Sequence, residues 1–188
     1  MTAPRKALAP SFSSLEFRAA LGLFPTGVPI VTARDARGHR VGLTASSFNS
    51  VSLDPPLVLC GLSQRAASLP AFAGGSHYAI NVLAVEQRAL AQRFASPHAD
   101  RLAGLAFREG VGGAPILEGA AAVFECFNRS RYEEGDHILF VGEVEHCEHR
   151  PGAVPLVFHG GRFVGEASTE PSALSAAAGS SGSPPSAA

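Results

Sequence analysis

Short apolar runs separated by turn-forming residues are the feature of this sequence that most limits its possible folds. In the first half the runs read VPIVTA, RVGLTA and LVLCGL (residues 28–33, 40–45 and 57–62). They are separated by residues 35–38, which contain Asp and Gly, and by the sequence Asp-Pro-Pro at residues 54–56. Runs of this length, rich in Val, Ile, Leu and Thr and bounded by Gly, Pro and Asp, are typical of β-strands. We therefore predict a meander of short antiparallel strands in this region.

The second half adds further strand-like runs and one helical segment. AAVFECFNRSRY and HILFVGEVEH (residues 121–132 and 137–146) flank a predicted four-residue hairpin connection at residues 133–136. YAINVL (78–83) predicts another strand, whereas in VEQRALAQRFA (85–95) Leu90 and Phe94 lie four residues apart, as on one helical face. Strands and helices do not alternate regularly. The pattern predicts a mainly β fold, an antiparallel barrel with a few peripheral α-helices.

The two ends of the chain differ in composition from the middle. Ser13 and Glu16 form the pattern of a capping box, and apolar residues at helical spacing follow it. These residues are Phe17, Ala20, Leu21 and Phe24, and they predict one amphipathic helix at the start of the domain. We predict a flexible N-terminus over residues 1–13 and one domain over residues 14–165. Residues 166–188 are largely Ala, Ser, Gly and Pro, and the ending SAAAGSSGSPPSAA (175–188) has no large side chains to bury, so this segment is predicted to be a disordered tail.

Charge and cysteine content exclude several classes of partner. The chain has 15 Lys and Arg against 16 Asp and Glu, so it lacks the positive charge of proteins that bind nucleic acids or membrane surfaces. No apolar run approaches the roughly 18 residues of a membrane helix. The three cysteines, Cys60, Cys126 and Cys147, have unrelated spacings and do not suggest a disulfide framework. We expect a cytoplasmic protein with reduced thiols whose partner is a small molecule or another protein.

Two polar segments are candidates for a ligand site. Residues 44–52 crowd hydroxyl and amide side chains between apolar runs, and buried hydroxyls are costly unless they are hydrogen-bonded. This segment is therefore either a solvated edge strand or the lining of a polar site. The turn after residue 62 contains Arg65 and Ser68, which suit a phosphate group, but Ser63 or Ser68 equally suits the cap of a short helix. The residues alone leave these alternatives open.

Three other candidates for chemistry are weaker. The sequence HCEH at residues 146–149 contains several ligand types, but neighbours on a strand point to opposite faces, so no metal site is predicted. A nucleophile built from Cys60 and His137 has no local signature, and a thiol within VLCGL is expected to be buried. His137 follows Asp136 at the start of a predicted strand. It is either a surface turn histidine or part of a ligand-binding rim.

Five segments, taken in their order and spacing, carry a resemblance to a known family. They are FRAALGLFPTGVPIVTA (17–33), GLTASSFNSVSLDPPLVLCGL (42–62), YAINVL (78–83), GDHILFVGEV (135–144) and PLVFHGGRF (155–163). Over about residues 14–165 the chain resembles the short-chain flavin reductases, the NADH- or NADPH-dependent reductase components of two-component aromatic monooxygenases of the 4-hydroxyphenylacetate hydroxylase type. The resemblance implies a Greek-key split β-barrel, usually a homodimer, that binds FMN or FAD near the subunit interface. It also fits the absence of a Rossmann or Walker glycine motif.

The resemblance also implies which residues form the site. His137 is the implied catalytic residue, beside the nicotinamide. The residues that line the isoalloxazine and ribityl chain are expected to be Thr44, Ala45, Ser46 and Ser47. Ser68, with Arg65, is expected to meet the flavin phosphate. The other implied cofactor-binding residues are Thr26, Gly27, Cys60, Leu62, Asn81, Phe94 and Phe163, the last of which is often tyrosine in the family.

The implied activity is hydride transfer from NADH or NADPH to FMN or FAD, with the reduced flavin supplied to a separate monooxygenase. A non-catalytic flavin-binding protein, for storage or sensing, is the alternative on the same fold. A bare interaction domain would leave the hydroxyl-rich segment unexplained. The choices between FMN and FAD and between NADH and NADPH stay open at this point.

Overall fold

The computed structural model describes residues 9–95 and 101–164. The predicted tail at residues 166–188 lies outside the described residues, as does most of the predicted flexible N-terminus, residues 1–8. Within the described part of the chain, no helix is long and apolar enough to cross a membrane.

The described residues form twelve strands and three α-helices. The strands are β1 (Thr26–Gly27), β2 (Pro29–Arg34), β3 (Arg40–Thr44), β4 (Asn49–Leu53), β5 (Pro56–Ser63), β6 (His77–Val82), β7 (Phe107–Glu109), β8 (Pro115–Leu117), β9 (Ala122–Glu134), β10 (His137–His149), β11 (Val157–His159) and β12 (Arg162–Val164). The helices are α1 (Ser14–Leu21), α2 (Leu69–Gly74) and α3 (Arg88–Ala95), and Val85–Gln87 and Val111–Gly113 form 3₁₀ turns. The predicted strands and the predicted helix near residues 85–95 are thus present.

Seven strands form one antiparallel sheet in the order β3-β2-β6-β9-β10-β5-β4. Its edge strands, β3 and β4, are consecutive in the chain and are joined by residues 45–48 alone. Seven flat strands would extend over about 29 Å, whereas the five residue steps from Thr44 to Asn49 span at most about 18 Å. The sheet must therefore curl until its two edges approach each other. This confirms the prediction of a mainly β split barrel.

Apolar residues fill the curled sheet and the space below helix α3. Tyr78, Phe72 and Phe140 form the aromatic centre of the first cluster, with ring centroids 6.3 to 6.5 Å apart. A second cluster includes Phe94 of α3 and Leu156, and it lies against the small sheet of β1, β11 and β12. The two clusters hold the main sheet, α3 and the small sheet together as one unit, because burial of this much apolar surface outweighs the entropy of ordering it.

Helix α1 differs from its prediction in length and in burial. The capping box is present: the Ser13 hydroxyl accepts from the Glu16 amide at 3.2 Å, and the Glu16 carboxylate accepts from the Ser13 amide at 2.8 Å. The helix nevertheless ends at Leu21, before Phe24. None of its residues is buried. Its apolar side chains therefore have no buried packing site among the described residues.

The hairpin between β9 and β10 is tighter than predicted. Glu133 and Glu134 pair with Ile138 and His137, so the connection has two residues and not four. Gly135 has a φ of +61°, which suits the first position of a type II′ turn. The prediction of a four-residue connection is wrong because pairing with β10 extends the ladder through two charged residues that have little β preference of their own.

Candidate functional site

The loop that joins the two edge strands, residues 45–48, lies at the split of the barrel and is fixed on both sides. We refer to it as the split loop. The Ala45 amide donates to the Pro29 carbonyl of β2 at 3.1 Å. The Ser47 hydroxyl accepts from the Gly61 amide of β5 at 2.8 Å and donates to the Gly61 carbonyl at 3.0 Å. Ser47 thus uses its hydroxyl to hold the loop against β5.

The split loop and the residue before it contain donors that lack partners. The Thr44 hydroxyl oxygen is buried and makes no hydrogen bond to the part of the chain that the structure describes. The amides of Ser46 and Ser47 donate to no acceptor within the described residues. An unpaired buried hydroxyl costs free energy, and such groups in a native structure point to a partner that binds there. The arrangement fits the edge of a polar heterocycle, so the solvated-edge explanation accounts less well for Thr44.

The end of β5 and the β9–β10 hairpin form a second wall of the candidate site, beside the split loop. Ser63 pairs with His137 across the sheet, and the Gln64 amide donates to the Asp136 carbonyl at 3.0 Å. Gly61, which holds Ser47, lies two residues before Ser63, or about 7 Å along the strand. The split loop and His137 therefore border the same end of β5.

His137 is oriented by its neighbour in the chain. Its Nδ1 lies 2.7 Å from the Asp136 carboxylate, and its side chain is 44% exposed. This hydrogen bond and the charge of the histidine hold the pKa of Asp136 below its usual value, and the Arg65 guanidinium acts in the same direction. The His137 Nε2 atom has no hydrogen bond to the described residues. It is thus available to a ligand.

The polar turn after β5 retains a free hydroxyl. Ser68 occupies the N-cap position of α2, but its side chain makes no capping hydrogen bond. The Ser63 hydroxyl instead accepts from the Arg65 amide at 3.3 Å. Neither serine caps α2 through its side chain. The assignment of Ser68 and Arg65 to a flavin phosphate remains a prediction.

Five of the implied cofactor-binding side chains are buried in the core, and Ala45 of the split loop, which is 4% exposed, is one of them. Cys60, Leu62 and Phe94 are between 1% and 3% exposed. Asn81 has no exposed surface: its side-chain amide donates to the Ile30 carbonyl and the Thr32 hydroxyl, and its side-chain carbonyl accepts from the Leu117 amide. A side chain without exposed surface reaches a ligand only when its neighbours move. The structure assigns these five to packing, and their contact with flavin remains a prediction.

The remaining implied residues lie in the small sheet. Gly27 is two residues before Pro29, whose carbonyl holds the split loop, so β1 leads directly to the site. Thr26 pairs with Phe158, which pairs with Phe163, and the two phenyl rings are 5.4 Å apart. Phe163 therefore lies two strands from Thr26, about 10 Å away, in a different sheet from His137.

The alternative nucleophile of Cys60 and His137 is not assembled. Cys60 pairs with Phe140, three residues along β10 from His137. Burial raises the pKa of the Cys60 thiol to about 12, so the reactive thiolate is scarce at neutral pH. Among residues 9–95 and 101–164, no group of three or more His, Cys, Asp or Glu side chains is placed to hold a metal ion.

Thiol labelling tests this arrangement. We expect a disulfide reagent at pH 8 to modify one thiol of the native protein quickly, at Cys147, because Cys147 is exposed while Cys60 and Cys126 are buried. Burial raises the pKa of Cys126 as well. All three thiols should react after denaturation, and Cys147→Ser should abolish the fast reaction. Fast labelling of Cys60, located by mass spectrometry, would contradict the buried assignment.

Comparison with known proteins places this geometry in a family. The flavin reductase like domain matches residues 21–167. The chain is 44% identical over 146 residues to the actinorhodin polyketide dimerase of Streptomyces coelicolor, covering 78% of this chain and 82% of that protein. It is 42% identical over 151 residues to the FMN reductase (NADH) SmoA of Agrobacterium fabrum, covering 80% and 85%.

The solved structures agree with these relatives. The NADH:FAD oxidoreductase SgcE6 of Streptomyces globisporus, determined in complex with NAD and FAD fragments, superposes with a TM-score of 0.78 at 35% identity. The match covers 87% of this chain and 99% of that one. With its curled antiparallel sheet, the donors at the split and these matches, the chain belongs to the flavin reductase family.

Proposed function

We propose that this protein is an NAD(P)H:flavin oxidoreductase that transfers hydride from NADH or NADPH to FMN or FAD and supplies reduced flavin to a separate monooxygenase. The observation that carries the proposal is the unpartnered Thr44 hydroxyl at the split of the barrel, beside the free amides of Ser46 and Ser47. Two relatives named as an NADH-dependent FMN reductase and an NADH:FAD oxidoreductase support it.

The residues present fit a flavin. Thr44 and the split-loop amides would bind the edge of its ring system, and Arg65 with Ser68 would bind its phosphate. A bound flavin would supply the redox chemistry by accepting hydride from the nicotinamide nucleotide. The loop donors favour negative charge next to them, and His137, held by Asp136, orients the nicotinamide carboxamide. Arg65 is the cation that we assign to the site. Because one arginine provides little positive charge, we expect the flavin to bind weakly and to exchange with solution.

A direct assay tests the proposal. Purified protein is mixed with NADH or NADPH, with and without FMN or FAD, and the nicotinamide absorbance is followed. Flavin-dependent oxidation supports the reductase, and the preferred pair identifies both cofactors. One relative is named a polyketide dimerase, so family membership alone does not decide the reaction. Flavin binding without consumption of either nucleotide would favour the non-catalytic flavin-binding protein.

The Thr44→Val variant tests flavin binding separately from the stability of the fold. The valine has nearly the same shape and removes a hydroxyl that has no partner among the described residues. We expect the free energy of unfolding without flavin to stay equal or to rise by up to about 1 kcal/mol. Flavin affinity, measured by fluorescence quenching, should fall about tenfold, since a tenfold loss corresponds to one hydrogen bond. Unchanged flavin affinity would remove Thr44 from the site.

We also propose a homodimer. Leu15, Leu23 and Phe24 in and after α1 are 77%, 72% and 67% exposed, and Leu53 on the edge strand β4 is 94% exposed. Several large apolar side chains exposed to this degree within one short segment, residues 15–24, are typical of a surface that a partner covers. Light scattering should therefore give twice the chain mass, and Phe24→Glu should shift the equilibrium to monomer. Arg37→Glu, in an exposed turn, is the control and should leave the dimer intact; a monomeric parent protein would refute the proposal.

The cysteines support a cytoplasmic location, which we propose as well. Cys60, Cys126 and Cys147 are all free thiols. Unpaired cysteines persist in reducing compartments.

A further inference from the structure

A cleft of about 440 Å³ lies between the β2–β3 hairpin and residues 102–105. The hairpin contributes Arg34, Gly38, His39 and Arg40 to its lining. This volume falls in the range of small-molecule sites, about 300 to 1,000 Å³. Three of the four hairpin residues that line the cleft are basic, although the chain as a whole has a net charge of -1.

Arg34 is held in place before any ligand binds. Its Nε donates to the Gly113 carbonyl at 2.8 Å, and its Nη1 donates to the Gly38 carbonyl at 2.9 Å. Its Nη2 lies 3.8 Å from the carboxylate of Glu109, which does not line the cleft. A planar guanidinium fixed by two carbonyls loses little further freedom when it binds an anion.

Arg40 lines the same cleft, and its guanidinium group is not paired with a carboxylate of the described residues. Its guanidinium carbon lies 5.2 Å from the centroid of the Phe107 ring. His39, beside it, has its Nδ1 3.2 Å from Asp35, which also lies outside the lining. Among the described residues that line the cleft, two are arginines and none carries a carboxylate.

We propose that this cleft binds a phosphate group, either free phosphate or the phosphate of a nucleotide. Arg34 and Arg40 bind the phosphate oxygens through charge-assisted hydrogen bonds, and His39 adds a donor at the rim. Leu102 and Leu105 in the opposite wall offer apolar contact to the rest of a nucleotide. Arg40 lies four residues before Thr44 on β3, about 13 Å away. The site is therefore separate from the split loop and is independent of the proposed reductase activity.

Amide chemical shifts test the proposal and locate the ligand. The full-length ¹⁵N-labelled protein is titrated with orthophosphate, adenosine monophosphate and adenosine. We expect both phosphate compounds to shift amides at residues 38–40 and 102–105 with saturation in the millimolar range or below. Adenosine should not produce these shifts. Tighter binding of the nucleotide than of orthophosphate identifies a nucleotide phosphate as the ligand, and equal binding identifies free phosphate.

Matched arginine variants make the test specific. Arg40→Gln should weaken binding about tenfold or more, whereas Arg37→Gln, an exposed arginine in the same turn that does not line the cleft, should leave it unchanged. Arg40→Lys keeps the charge and should retain more affinity than Arg40→Gln. Circular dichroism verifies that each variant is folded. No saturable shift at these residues, shifts confined to residues 44–47, or equal affinity in Arg40→Gln and the parent protein would overturn the proposal.

Discussion

Replacing Gly142 by alanine is expected to destabilise this protein by about 3 kcal/mol or more, a large part of the 5 to 15 kcal/mol typical of a folded domain. A Cβ atom there would clash with the Tyr78 hydroxyl oxygen and would lie 2.8 Å from the Cys126 Cβ. Both neighbours are 1% exposed and belong to the same buried cluster, so moving either of them disturbs the packing of the core. The φ angle of Gly142 is outside the left-handed region, so the cost is steric. Denaturant unfolding followed by circular dichroism measures it.

Removal of the Tyr78 hydroxyl should restore part of the stability lost in Gly142→Ala. This hydroxyl lies against the Cys60 thiol, a weak partner, and makes no hydrogen bond of ordinary geometry. Tyr78→Phe alone should be neutral or slightly stabilising, and it should recover part of the stability lost in Gly142→Ala, because the closest clash is removed. Gly74→Ala is the control, since no atom lies within 4 Å of its added Cβ. A loss below about 1 kcal/mol in Gly142→Ala would contradict the packing described for this strand.

His137→Ala should have the largest effect on activity. We expect kcat/KM for the nicotinamide nucleotide to fall about tenfold to a hundredfold, because misplacement of a reacting ring by about 1 Å costs rates of this order. Flavin affinity should change by less than about twofold, since the donors that we assign to the flavin are in the split loop. Steady-state kinetics and flavin titration on the same preparation separate the two effects. The variant should fold, because the side chain is 44% exposed.

His146→Ala is the matched control for this variant. His146 is an exposed histidine on the same strand, nine residues further on and about 30 Å away. It should have the kinetics of the parent protein. If His137→Ala also retains parent kinetics, His137 has no part in the mechanism. If it loses flavin affinity as well, His137 contacts the flavin and not only the nicotinamide.

The strands were largely predictable because their signals are local. Turn residues and apolar runs mark β2, β3 and β5, and the capping box of Ser13 and Glu16 marks the start of α1. Where neighbours in space decided the outcome, prediction was less accurate. Glu133 and Glu134 are strand residues only because β10 pairs with them. Helix α1 ends at Leu21, whereas the apolar residues at helical spacing continue to Phe24.

The candidate site was predictable as a region but not in its details. Hydroxyls crowded between apolar runs indicated a polar site at residues 44–52. Whether a given hydroxyl makes a hydrogen bond depends on residues that are distant in the chain. The Ser47 hydroxyl is hydrogen-bonded to Gly61, 14 residues further on, whereas the Thr44 hydroxyl has no hydrogen-bond partner among the described residues. The family resemblance implied that Asn81 binds the flavin, yet its side chain makes hydrogen bonds to three groups in the core.

The sequence by itself determined the mainly β class, the positions of most strands and the polar segment between two of them, because periodicity and turn chemistry act over a few residues. Only the tertiary structure decided that β3 and β4 become the two edges of a curled sheet, which places that segment at the split. It also decided that α1 has no buried face and that Arg34 and Arg40 share a cleft with residues 102–105. These features depend on contacts between residues tens of positions apart, which no local pattern encodes.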